Sequence, residues 1–181
     1  MLSRHLFRKR IVLCEKLAPL HDALMSAGEP HGITRFGTYA MNSLRMEKAY
    51  KGWGSELTTE ISLVESDMLR FARKSRGYIG AEVVEKKKKD GVPIHLVYLE
   101  VDADDADPMG NEPVMSGDRI IGITTSGAYG HCVGKSLAFA YVESGFERSG
   151  VQFEVRILGE MCRARVLAEA AWDPANDRLK S

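Results

Sequence analysis

Apolar residues in the first part of the chain recur at helical spacing. The first set, at steps of four and three, consists of Leu13, Leu17, Leu20, Leu24 and Ala27. This spacing predicts one face of an amphipathic helix, because residues three and four apart lie on the same side of a helix. Gly28, followed by Pro30, is expected to end this helix.

A second helix is predicted over residues 38–50. Ala40, Leu44 and Glu47 share the face that is expected to be buried. A neighbouring stripe on the same helix consists of Tyr39, Ser43, Met46 and Tyr50. Glycines at positions 52 and 54 then break the helical pattern.

The pattern changes after a third predicted helix, which covers residues 80–90. Strand-like segments then follow at 94–101, 113–115, 119–125, 136–142, 152–158 and 163–170. Loops rich in Gly, Ser and Asp separate these segments. Several short strands in series predict a compact antiparallel barrel or sandwich.

Composition and charge exclude several classes of protein. The 181 residues contain 25 Lys and Arg against 25 Asp and Glu, so the formal net charge is zero. A balanced charge gives no argument for binding nucleic acid or an anionic membrane. The 3 cysteines form no CxxC pair, which argues against a disulfide framework or a zinc site and favours a reducing compartment. No apolar run reaches the roughly 18 residues of a membrane-spanning helix.

The amino-terminal segment is basic, with Arg4, Arg8, Lys9 and Arg10 and no acidic residue before Glu15. Two interpretations stay open: the start of a mitochondrial presequence, or the solvated end of a strand. The expected compartment is therefore the cytoplasm, or the mitochondrial matrix if the protein is eukaryotic.

Glu47 is the first candidate for binding chemistry. A carboxylate on the inward face of a helix is expected to be partly buried, and burial of a charge is costly unless hydrogen-bond donors satisfy it. Two sources of donors stay open: a nearby arginine such as Arg35 or Arg45, or a ligand. A pterin is such a ligand, because its ring N3–H and 2-amino group form a two-pronged donor edge that a carboxylate accepts.

Aromatic residues lie close to Glu47 in sequence: Tyr39, Tyr50 and Trp53. A flat heterocycle needs aromatic or aliphatic walls, although tyrosines are equally common in ordinary cores. The candidate cofactor-binding residues are therefore Glu47, Tyr50, Trp53 and Tyr39. The histidines have no metal-ligand spacing, so no metal site is indicated, and no catalytic residue is identified.

The stretch GAYGHCVGKS at 127–136 has a partial likeness to a phosphate-binding loop. The motif needs a glycine where Tyr129 stands, and a helix should follow it. The residues that follow, LAFAYVE, alternate like a strand instead. Nucleotide hydrolysis is therefore disfavoured.

Three segments together resemble a known family. Residues 36–57 read FGTYAMNSLRMEKAYKGWGSEL, which is similar to a helix and the following turn of glycine cleavage T-proteins, and more so to the related region of dimethylglycine and sarcosine dehydrogenases. The segment YIGAE at 78–82 and the stretch that begins with TSG at 125 and continues with GKSLAFAYV at 134–142 resemble later parts of the same family. The order of these segments is kept across residues 17–175.

The resemblance implies an α+β fold: the end of an α/β folate-binding domain at 1–90, followed by a small antiparallel β-barrel at 91–181. It implies that bound tetrahydrofolate accepts a one-carbon unit from a methylated amine or another aminomethyl donor. It also implies that Glu47 matches the glutamate that holds the pterin, with Tyr50 and Trp53 near it by position. A flavin-dependent domain or subunit is an implied partner.

Three departures from the family pattern are present. The first is that LSRHLFRKRIVL, residues 2–13, stands where the family has a strand before the first helix, so the chain is expected to begin inside a domain. The family's acidic residue that assists transfer belongs to an upstream half, which is expected to be missing, and His95 stands where relatives often have an arginine. The chain is therefore expected not to run the full reaction efficiently alone. The alternative is a non-catalytic structural or subunit-interaction module, which can also form homo-oligomers.

Overall fold

The computed structural model describes residues 13–72 and 78–180. Within these ranges the helices are α1 (Leu17–Gly28), α2 (Thr38–Glu47), α3 (Ala81–Asp90) and α4 (Asp177–Lys180), with short 3-10 turns at Cys14–Lys16, Glu29–His31 and Leu69–Phe71. The strands are β1 (Ile94–Val101), β2 (Pro113–Ser116), β3 (Arg119–Gly130), β4 (Lys135–Glu143), β5 (Gln152–Ile157) and β6 (Glu160–Leu167). The basic segment at the amino terminus lies outside the described residues.

The strands form a closed antiparallel barrel in the order β1-β4-β3-β2-β5-β6. β1 pairs with both β4 and β6, so the sheet closes on itself and leaves no long free edge. Alternate side chains fill the interior with small and branched apolar groups, among them Leu99, Ala140 and Val155. The prediction of a small antiparallel barrel after a helical region is confirmed.

β3 continues to Gly130, beyond the predicted end at residue 125. The glycines in its second half allow another chain segment to approach: a Cβ at Gly127 would lie 2.1 Å from the backbone oxygen of Pro108. β3 then turns directly into β4, with Gly134 in the left-handed region at φ 68°. The sequence GAYGHCVGKS is therefore a β-hairpin and has no phosphate-binding loop geometry.

α2 packs on the outer surface of the barrel. A second core cluster there consists of Met46, Leu96, Tyr98, Leu137, Phe139 and Tyr141. The predicted buried face of this helix was partly wrong, since Leu44 is 55% exposed and the buried residues are Ser43, Met46 and Glu47. The helix also ends at Glu47 rather than at residue 50, because Ala49 adopts a φ of 51°.

α1 has the predicted helical bounds at its carboxyl end, but none of its residues is buried. Its apolar stripe, with Leu17 and Leu24, faces outward in this structure. Among the described residues, no helix is both long enough and apolar enough to cross a membrane.

Candidate functional site

Four segments meet where α2 docks on the barrel, and together they are called the seam. They are α2, residues 50–57, residues 125–130 of β3, and the β3–β4 turn at residues 131–134. Two buried carboxylates, Glu47 and Glu56, lie in the seam. The chemistry of the site follows from what satisfies each of them.

Glu47 is 1% exposed, as expected for a carboxylate on the inward side of α2. Its Oε1 accepts hydrogen bonds from the backbone N–H groups of Cys132 at 2.5 Å and Val133 at 3.3 Å. Gly130 makes this approach possible, since a Cβ there would lie 2.9 Å from the Cγ of Glu47. The hydrogen-bond donors to the Glu47 carboxylate therefore come from the β3–β4 turn, a source that the sequence did not indicate.

Arg45, one of the two arginines considered as a partner for Glu47, binds elsewhere. Its Nε donates to Asn42 Oδ1 at 2.8 Å, and its Nη1 lies 3.2 Å from Glu56 Oε2. Arg45 therefore connects α2 to the segment that follows it.

Glu56 was not identified as a site residue, yet it is fully buried. Besides Arg45, its donors are the hydroxyls of Thr125 and Ser126, the Ser55 hydroxyl and the Gly52 N–H. Burial raises the pKa of this carboxyl, but the hydrogen bonds offset that effect and hold the pKa below its ordinary value. The clue in the sequence was an acid inside the turn WGSEL together with hydroxyls in the distant TSG stretch.

Further hydrogen bonds join the two sides of the seam. On α2, Asn42 Nδ2 donates to the oxygen of Gly127 at 3.0 Å and Ser43 Oγ to the oxygen of Tyr129 at 2.6 Å. From the barrel, two buried hydroxyls donate outward. Tyr98 reaches the oxygen of Met46 at 2.8 Å, and Tyr141 reaches the oxygen of Glu56 at 2.7 Å. These four bonds fix α2 and residues 50–57 on the barrel.

The aromatic candidates lie on the outside of the seam. Tyr39 is 81% exposed, Trp53 75% and Tyr50 51%. Of these three, only Tyr50 lines the cleft described below. The structure therefore places Glu47 inside and the aromatic side chains at the surface, and it does not enclose them in one pocket.

A cleft of about 550 Å³ opens beside the end of α2 and carries several cationic side chains. Lys48 is held by Asp173, and Lys51 donates to the backbone oxygen of Asp67. Burial lowers the pKa of Lys51, an effect that the neighbouring Asp67 carboxylate partly offsets. His95 lines the same cleft.

The β3–β4 turn also carries the pair His131 and Cys132, and both side chains are exposed. Partial desolvation of the thiol and the neighbouring Glu47 carboxylate raise the pKa of Cys132, so the thiolate nucleophile is disfavoured. Across residues 13–72 and 78–180, no cluster of three or more His, Cys, Asp or Glu side chains has the arrangement of a metal site.

Comparison with known proteins adds family information to this geometry. Residues 95–173 match the glycine cleavage T-protein C-terminal barrel domain, and residues 12–76 match the GCVT N-terminal domain. The first match covers the whole barrel except the start of β1. The second covers α1, α2 and residues 50–57, so the seam joins the two matched regions.

Individual relatives and one solved structure agree with these two matches. Over 170 residues the chain is 40% identical to mouse mitochondrial dimethylglycine dehydrogenase, covering 92% of this chain and 20% of the relative. It is 31% identical to an aminomethyltransferase of Bacillus pumilus over 162 residues, covering 87% of this chain and 44% of the relative. The glycine cleavage system aminomethyltransferase T of Bartonella henselae has the same fold, with a TM-score of 0.75 at 17% identity, covering 88% of this chain and 45% of the other.

The chain thus spans only 20% to 45% of the length of these three proteins. The same family is indicated by both matched regions, by the named relatives and by the shared fold. The chain belongs to the glycine cleavage T-protein family.

Proposed function

We propose that this chain is a tetrahydrofolate-dependent one-carbon transfer module, in which Glu47 holds the pterin. The observation that carries the proposal is a buried carboxylate at the end of α2, in a segment that matches the family. The relatives bear the names aminomethyltransferase and dimethylglycine dehydrogenase. Their activities come to this chain as part of the proposal.

The residues of the seam fit a pterin through the chemistry of Glu47. A carboxylate accepts two parallel donors, and the pterin edge supplies them from N3–H and the 2-amino group. In this structure Oε1 already accepts two amides from the β3–β4 turn. Because Glu47 is 1% exposed and its Oε1 is already occupied, contact with both donors of the pterin requires residues 131–134 to move away from Glu47.

The aromatic side chains have a supporting role in the proposal. Tyr50 and Trp53 offer exposed flat surfaces just after the end of α2, and Tyr39 offers one at its start; such surfaces suit contact with a heterocycle. When bound, tetrahydrofolate supplies the nucleophilic nitrogen that accepts the one-carbon unit. The chain's own residues orient it, and orientation supplies much of the rate of such reactions.

The proposal includes the organisation of the chain and its partners. Residues 1–90 are a partial folate-binding domain and residues 91–181 the C-terminal barrel. The donor is a methylated amine or another aminomethyl compound, and a flavin-dependent domain or subunit supplies it. The compartment is the cytoplasm or the mitochondrial matrix.

A second candidate function is supported by the apolar surface of the helical part. Exposed side chains there are Leu13, Leu17, Leu24, Ile33, Phe36, Tyr39, Met41 and Leu44. Exposed apolar groups that are this numerous on neighbouring elements are typical of an interaction surface. The chain would then be a structural or subunit-interaction module that has the fold without the folate chemistry.

Two measurements on the purified chain separate these functions. Isothermal titration with reduced folate tests the first, and size-exclusion chromatography over a concentration series tests the second. Saturable heat of binding supports the one-carbon module. Self-association, combined with no binding at millimolar folate, contradicts it and supports the interaction module.

A further inference from the structure

Glu56 holds together three parts of the chain: the end of α2, the turn that follows it, and β3, which is distant in sequence. Its Oε2 accepts from Gly52 N at 2.7 Å and from Arg45 Nη1 at 3.2 Å. Its Oε1 accepts from Thr125 Oγ1 at 2.7 Å and from Ser126 Oγ. One carboxylate therefore contacts α2, the turn after it and β3.

The turn around Glu56 points its two large side chains in opposite directions. Gly54 N donates to the oxygen of Leu57 at 2.8 Å, and Leu57 N donates to the oxygen of Gly52 at 3.0 Å. Glu56 is fully buried on the inner side of this turn, and Trp53 is exposed on the outer side. The backbone position of Trp53 is thus set within the same turn that Glu56 anchors.

Two glycines allow this arrangement. A Cβ at Gly52 would lie 2.9 Å from Ser55 Oγ and 3.3 Å from Glu56 Oε2, so only glycine lets its amide approach the carboxylate. Gly54 has a φ of 92°, which a side chain would disfavour. The two glycines therefore let the turn bring the Gly52 amide to Glu56.

Arg45 extends the effect of Glu56 to the candidate pterin site. It lies on the last turn of α2, the same turn that carries Glu47. Because Glu56 binds Arg45 and the Gly52 amide through one oxygen, it sets the position of residues 50–57 relative to Glu47. Loss of the carboxylate frees both connections together.

We propose that Glu56 is a positioning residue of the folate site, which orients Tyr50 and Trp53 beside Glu47 without touching the ligand. The inference rests on the proposed function for its ligand. It goes beyond that function because it assigns the orientation of these two aromatic side chains to Glu56, a buried acid that does not contact the ligand.

The test compares Glu56→Gln with Glu65→Gln. Glu65 is also a buried carboxylate, held by Lys87 and Ser62, and it lies outside the seam. In the full chain we expect Glu56→Gln to weaken binding of reduced folate about tenfold or more, the scale of one lost charged hydrogen bond. Glu65→Gln is expected to bind as the wild type does, at a temperature where both variants are folded. Equal folate affinity of Glu56→Gln and wild type overturns the proposal.

A milder pair of variants keeps the test valid if Glu56→Gln does not fold. Thr125→Val removes one donor to Glu56 with little change in volume, and Thr125→Ser keeps the hydroxyl. We expect Thr125→Val to weaken folate binding and Thr125→Ser to restore it. Equal binding by these two variants contradicts the positioning role.

A second measurement does not depend on folate. Hydrogen exchange of residues 52–57 reports on the turn itself. It is expected to be faster in Glu56→Gln and not in Glu65→Gln, and unchanged exchange refutes the inference. Wild-type protein that does not bind folate overturns the proposed function instead, while the comparison of the turns still decides whether Glu56 positions it.

Discussion

Docking of α2 on the barrel makes a direct prediction for Met46. This side chain is fully buried between the helix and the outer barrel residues, among them Tyr98, Phe139 and Tyr141. Met46→Ala removes its thioether and leaves a cavity that packed neighbours fill only in part. Large-to-small substitutions of this kind cost about 2–5 kcal/mol of unfolding free energy, and complete burial places Met46 in that range.

The same helix provides a matched control. Met41→Ala is chemically identical and also lies within α2, but Met41 is 48% exposed. The gain in helix propensity is therefore common to both variants, and the cost at the exposed site is expected to stay within about 0.5 kcal/mol. Urea unfolding followed by circular dichroism and by tryptophan fluorescence measures the difference. A difference of less than about 1 kcal/mol between the two variants would refute the docking of α2 described here.

Three further predictions concern the seam and the barrel. Tyr98→Phe and Tyr141→Phe each remove a buried hydroxyl that donates to a backbone oxygen, and we expect each to cost about 1 kcal/mol in urea unfolding; no measurable cost would contradict these hydrogen bonds. The pKa of Glu56 is held below its ordinary value of 4.5 in the folded state, so its stabilisation is present above that pH and is lost as the pH falls through the folded pKa. The stability difference between wild type and Glu56→Gln is therefore expected to shrink on acidification, and a constant difference would show that the charge has no role. Gly127→Ala places a methyl group against a backbone oxygen and is expected to lower the melting temperature, whereas Gly37→Ala, with open space around it, is expected to be near neutral.

The barrel was predictable because its information is local. Short runs rich in apolar, β-branched and aromatic residues, such as 94–101 and 136–142, indicate strands locally, and β1 and β4 were found at those runs. A series of short strands tends to close into a barrel or sandwich, because closure pairs the backbone N–H and C=O groups that a free sheet edge would leave unpaired. The longer β3 was missed because glycines in its second half hide the alternation.

The face of α2 that is buried was less predictable. Helical periodicity in 38–50 is consistent with two neighbouring stripes, one with Leu44 and one with Met46. Which stripe turns inward depends on where the outer barrel surface lies, and that surface is formed by residues far along the chain. The hydrogen bonds of Ser43 and Met46 with barrel residues select the second stripe.

Of the candidate site, the sequence indicated Glu47 as a buried acid but could not indicate its donors. These come from Cys132 and Val133, separated from it by 85 and 86 positions. Glu56 was missed for the same reason, since its hydroxyl partners Thr125 and Ser126 lie on β3. Contacts between distant segments need the register of the barrel, which no local pattern supplies.

The central claim is that Glu47 holds a pterin, and one titration tests it most directly. Reduced folate is added to the wild type, to Glu47→Gln and to Glu112→Gln, and binding is followed by heat. Glu112 is the matched control, because its carboxylate also accepts backbone amides, from Met109 and Gly110, but outside the seam. The account predicts saturable binding that Glu47→Gln alone weakens by about 1.5–3 kcal/mol, the scale of a charged hydrogen bond. Equal folate affinity of the wild type and Glu47→Gln would contradict it.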